Sequence, residues 1–110
     1  MEKIYNKLVR DEIPKINENE GEIPMTRILS NDEYKTELYK KLKEECNEVL
    51  EAKTQKETIE ELADVLEIIK AISELNGACL ESVLETANKK RLKRGGFERK
   101  IFLEKTMSKK

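Results

Sequence analysis

Apolar residues recur at helical rather than strand spacing through most of this chain. Leu38, Leu42, Cys46 and Val49 follow one another at steps of four and three, which puts them on one helix face. Ser30, Asn31 or Asp32 can cap its start, and the pattern predicts a helix to about Lys53. A second run, Ile59, Leu62, Ala63, Leu66, Ile69 and Ile72, ends at Asn76-Gly77, a strong helix stop. A third helix carries Leu80, Val83, Leu84 and Ala87 and should end before Gly95-Gly96. Residues 1–30 hold Pro14, Pro24, Gly21 and the polar run NENEGE, so they predict an irregular arm with a short helix near residues 11–18. Phe97, Ile101, Phe102 and Leu103 are too apolar for a solvated tail, whereas the final KTMSKK reads as frayed. No stretch alternates as a strand would, and there is no internal repeat. The expectation is an all-α helical bundle in one domain: arm 1–30, helical core 31–94 of three main helices, and tail 95–110.

Composition sharpens this picture. Charged residues are 41% of the 110 and hydrophobic ones 37%, which suits amphipathic helices with solvated outer faces or subunits that complete their core by association. Lys plus Arg (22) nearly cancels Asp plus Glu (23), so no overall field draws the chain to nucleic acid or an anionic membrane. The basic run KKRLKR lacks interleaved aromatics and does not change that. With no apolar run of about 18 residues and no apolar core in MEKIYNKLVRDE, a cytoplasmic protein is expected. Cys46 and Cys79 are isolated, so no zinc knuckle or redox pair is indicated, and Cys46 reads as a small hydrophobe beneath a helix. The absence of His excludes His-dependent triads and histidine metal ligands.

The carboxylates carry the candidate chemistry. KLKEECNEVLEA, residues 41–52, crowds Glu44, Glu45, Glu48 and Glu51 together, although like charges three or four apart on a helix repel. Glu45 and Glu48 share a face of the first long helix; Glu61 and Asp64 share a face of the second. If the chain reverses near residues 54 and 55, antiparallel pairing sets Glu45 level with Asp64 and Glu48 level with Glu61. Four carboxylates gathered this way are unfavourable unless cations neutralise them. Oxygen-only ligands favour a hard ion, Mg²⁺ or Mn²⁺, and carboxylate-bound Mg²⁺ commonly takes substrate phosphates as further ligands. Other readings stand beside this one. Lys40, Lys41, Lys43 and Lys53 lie within salt-bridge reach of a merely solvated Glu face. Thr58-Ile-Glu-Glu61 has the form of a capping box that would occupy Glu61, but so does Thr54-Gln-Lys-Glu57, which would leave Glu61 free. Asp64, a mediocre helix former between Ala63 and Val65, needs a partner.

These residues resemble the MazG-like, all-α nucleoside triphosphate pyrophosphohydrolases, whose signature is Glu-x-x-Glu, a spacer, then Glu-x-x-Asp. Here it reads Glu45-Cys-Asn-Glu48, twelve residues, Glu61-Leu-Ala-Asp64. YNKLVRDEIP and RGGF further resemble a phosphoribosyl-ATP pyrophosphohydrolase-like branch, so the likeness spans Tyr5 to Phe97. The resemblance implies cleavage between the α- and β-phosphates of a nucleoside triphosphate, giving a monophosphate and pyrophosphate. It implies Mg²⁺ held by Glu45, Glu48, Glu61 and Asp64, and a water oriented or deprotonated by one of these carboxylates or by Glu44. It assigns nucleotide phosphates to Asn88 and Arg91, with Lys89, Lys90 and Arg94 around them. The family often carries a Lys one turn before that Asn, where this chain has Leu84. Lys7 and Arg10 of the arm can fold over the same phosphates. A solvated arm, and basic residues at a helix C-terminus, are the plainer readings of these two groups. Family members are commonly dimers or tetramers, so a homo-oligomer is expected.

The leading expectation is therefore a Mg²⁺-dependent nucleotide pyrophosphohydrolase, in keeping with removal of unwanted nucleotides. The alternative is a non-enzymatic helical oligomerisation module whose carboxylates only pair with lysines.

Overall fold

The computed structural model describes residues 1–109; Lys110, the last residue of the expected tail, lies outside them. Four helices follow in order: α1 (Ile13–Asn19), α2 (Asn31–Glu51), α3 (Gln55–Leu75) and α4 (Leu80–Arg94). No strand occurs among the described residues, so the protein is all-α.

Capping sets the boundaries. Ser30 accepts from the Glu33 amide at 3.3 Å while the Glu33 carboxylate accepts from the Ser30 amide at 3.1 Å, a complete capping box. Arg27 grips the same carboxylate with two N–H groups, at 3.2 and 2.8 Å, and holds it well below the usual range, at about 2. At the start of α3, Thr54 accepts from the Glu57 amide at 3.1 Å and Glu57 accepts from the Lys53 amide at 3.0 Å. Of the two candidate caps in the sequence, Thr54 is the one used, with Glu57 closing onto the Lys53 amide instead of that of Thr54. The α3–α4 turn closes with Ala78 N–H bonded to the Ser73 carbonyl (2.9 Å) and Gly77 N–H to that of Glu74 (3.0 Å). This pattern requires the left-handed φ of +75° at Gly77, which glycine adopts without strain.

α2 and α3 form an antiparallel hairpin that holds what core there is. Leu38 of α2 (3% exposed) and Ile68 of α3 (7%) are the buried apolar residues. Leu42, Ile69 and Ile72 are half-buried as the periodicity implied, but Ile59, Leu62 and Leu66 form a second, exposed stripe on α3. Cys46 is exposed, not a hydrophobe beneath a helix. α4 touches α3 only sparsely and buries none of its residues. Phe97, Ile101, Phe102 and Leu103, expected to be shielded, are largely exposed. The molecule is consequently elongated, 70 × 35 × 23 Å, with a radius of gyration of 19.2 Å. A compact chain of this length would have about 13 Å.

Candidate metal centre

Helical geometry explains why particular carboxylates point inward. Glu45 follows Leu38 by seven residues and Glu61 precedes Ile68 by seven; two turns take about 7.2, so each carboxylate lies only about 20° from the core direction of its helix. Asp64, one turn before Ile68, lies about 40° off. All three are half-buried. One carboxylate oxygen from each of Glu45, Glu61 and Asp64 falls within 4.8 Å of the others. Glu48 is rotated farther from the core and exposed, outside this triple; it lines an acidic cavity of about 260 Å³ with Glu51, Ala52, Glu57 and Glu61.

The electrostatics show the strain of this arrangement. The Glu61 carboxyl is pushed up to about 7, chiefly because neighbouring Glu48 stabilises its protonated form, with burial and the charges of Glu48, Asp64 and Glu45 adding to it. Burial, then Glu48 and Asp64, raises Glu45, against the opposing charge of Lys41. Glu45 Oε2 and Glu61 Oε2 are both buried without a hydrogen-bond partner. Buried acceptors in native proteins are ordinarily satisfied, so two orphaned oxygens in a carboxylate triple form a donor set suited to a cation. Mg²⁺ ligands opposite each other stand about 4.2 Å apart. Small side-chain rotations would therefore close the set around such an ion.

The basic residues divide. Arg10 reaches from the arm to Asp64 (3.6 Å) and Glu67 (3.4 Å), joining the centre as a counter-ion. Glu67, one turn beyond Asp64, was not singled out by sequence reasoning; its spacing on the Asp64 face was the available signal. Lys7 instead lies over the Tyr5 ring, 5.6 Å from its centroid. Arg91 pairs with Glu98 of the tail. Asn88 and Arg94 are exposed on α4, and neither side chain, nor that of Glu44, has a polar partner among the described residues. Leu84, one turn before Asn88, is half-exposed. Glu45, Glu61, Asp64 and Arg10 are thus brought together with Glu48 beside them, whereas Glu44, Lys7, Asn88, Arg91 and Arg94 are not drawn into the cluster.

No helix among the described residues is long and apolar enough to cross a membrane. No curated protein and no solved structure matches the chain. Residues 8–91, from the arm through the carboxylate hairpin and most of α4, match the family model described as phosphoribosyl-ATP pyrophosphohydrolase. With three quarters of its length covered by that match, the chain belongs to the phosphoribosyl-ATP pyrophosphohydrolase family.

Proposed function

We propose that this protein is a Mg²⁺-dependent pyrophosphohydrolase that cleaves a nucleotide, a nucleoside triphosphate or phosphoribosyl-ATP, between its α- and β-phosphates. The observation that carries this reading is the pair of orphaned buried oxygens, on Glu45 and Glu61, inside an all-carboxylate cluster.

Glu45, Glu61 and Asp64 are the residues that would hold the ion, with Mn²⁺ as a chemical substitute. When bound, the metal supplies positive charge to the phosphate oxygens, the main requirement of phosphoryl transfer. Glu48 stands beside this triple, exposed and close to Glu61, where it can orient a water and accept its proton. Glu44, one residue before the triple begins, is the other candidate for that role. Arg10 already bridges Asp64 and Glu67; turned outward it can grip a phosphate bidentately. Asn88, Arg91 and Arg94 can serve the distal phosphates if α4 closes on α3, which the sparse contact between these helices permits. The enzyme acts as a homo-oligomer in this reading, away from nucleic acid and membrane and in the cytoplasm.

Incubation with ribo- and deoxyribonucleoside triphosphates and phosphoribosyl-ATP, with Mg²⁺ or EDTA, tests the proposal. Monophosphate plus pyrophosphate, abolished by EDTA, is expected. Absence of turnover across the panel, with no Mg²⁺-specific thermal shift against an ionic-strength-matched KCl control, would favour the oligomerisation module instead.

A further inference from the structure

We propose that Glu67 is a positioning residue: it holds the Arg10 guanidinium at the outer edge of the carboxylate centre while a cation engages Asp64, keeping it ready for a substrate phosphate. The inference rests on the reaction assigned above. Arg10 meets two carboxylates with two different nitrogens, Nη1 at 3.6 Å from Asp64 Oδ1 and Nη2 at 3.4 Å from Glu67 Oε1. Either contact can therefore break while the other persists. The three side chains are 43–60% exposed, and both distances are longer than a charge-assisted hydrogen bond, so these pairs are weak and exchange readily.

Helix geometry gives the two carboxylates different tasks. Around α3, Glu61 stands about 20° to one side of the core-facing Ile68 and Asp64 about 40° to the other. Glu67 lies about 60° beyond Asp64 in that same direction and about 9 Å along the axis from Glu61. It is outside the triple to which Glu45, Glu61 and Asp64 each give one oxygen. Asp64 is thus shared between the cation site and Arg10, whereas Glu67 serves Arg10 alone. A cation at Asp64 repels the guanidinium from that carboxylate, and Glu67 is the anchor that remains.

The arm needs such an anchor because little else ties it down. Leu8 and Val9, beside Arg10, are half-buried, and the Arg10 carbonyl accepts from the Ile13 N–H (3.0 Å) where α1 begins. α1 makes no close backbone contact with the other helices. Among the described residues, the two Arg10 ion pairs are the side-chain polar contacts that join residues 1–20 to the α2–α3 hairpin. The sign of the expected effect separates this role from simple electrostatics. A bare negative charge at position 67 disfavours an anionic nucleotide, so its removal alone would strengthen binding. If Glu67 acts by holding Arg10, its removal weakens binding instead.

Hydrogen exchange of the full chain reads the tether without turnover. In the wild type, residues 5–12 should keep their protection when Mg²⁺ is added. In Glu67→Gln they should keep it in the metal-free protein, where Asp64 still holds Arg10, and exchange about fivefold faster in Mg²⁺ than in an ionic-strength-matched KCl control. Calorimetry in Mg²⁺ with the α,β-methylene analogues of ATP, GTP, CTP and UTP and their deoxy forms gives a second readout. Glu67→Gln should weaken analogue binding about three- to fivefold in the otherwise wild-type chain, and should not weaken it in Arg10→Ala, because the residue acts through Arg10. Far-UV circular dichroism checks that helicity is kept. Arm exchange in Glu67→Gln that ignores Mg²⁺, or an equal effect on analogue binding with and without Arg10, would overturn this inference and leave the reaction standing. Absence of analogue binding to the wild type would overturn both.

Discussion

Protonation of Glu61 should control metal affinity. Its carboxyl is held near 7 in the metal-free chain, and a cation competes directly with that proton. For a group of this pKa the unprotonated fraction is about one tenth at about pH 6 and nine tenths at about pH 8, so the apparent Mg²⁺ affinity should rise about tenfold between them. Glu45, raised in the same direction by burial and by its neighbours, can only steepen the change. Isothermal titration calorimetry in buffers of different ionisation enthalpy reads both quantities. Proton release should be about 0.9 per ion at about pH 6 and about 0.1 at about pH 8 from Glu61 alone. In Glu61→Gln, binding should be weaker and its pH dependence reduced to whatever Glu45 contributes. If wild-type affinity stays flat over this range, Glu61 is not a ligand, and its orphaned oxygen does not mark a cation site.

The same proton governs the stability of the metal-free protein: the folded pKa lies above the unfolded value of 4.5, so this contribution is complete below about 4.5 and is lost as pH rises through about 7. The metal-free melting temperature should therefore fall between about pH 5 and about pH 7.5, and Mg²⁺ should flatten that decline. Glu48→Gln should preserve helicity and lower kcat by about 10²-fold or more if Glu48 accepts the proton of the water; full activity would remove it from the mechanism. Ser30→Ala breaks the capping box of α2 and should cost about 1 kcal/mol in urea unfolding. Arg10→Ala should change stability by less than about 1 kcal/mol, since its pairs are exposed; yet metal should bind more tightly without the competing guanidinium, measured calorimetrically in the absence of nucleotide.

What sequence could and could not reveal follows from angles. Helix limits were legible because caps and stops are local: Ser30 and Gly77 perform the roles their positions implied. Equal heights across the hairpin were legible from numbering alone, but height does not say which way a side chain points. Steps of four advance a residue about 40° past a full turn, so the stripe Leu38, Leu42, Cys46 drifts from buried through half-buried to exposed. Counted in sevens from Leu38 instead, the inward position is Glu45. Glu48 has turned about 80° from Leu38, which explains its place beside the triple rather than within it. Two further features lie beyond any periodicity. Arg10 and Asp64 are joined across 54 residues by an irregular arm, and α4 has a weak apolar stripe whose partner surface is scarcely supplied by its own chain. Apolarity alone marked Phe97, Ile101, Phe102 and Leu103 for shielding, and it carries no information on where along the chain a covering surface would lie, which is why these residues stand exposed against that expectation.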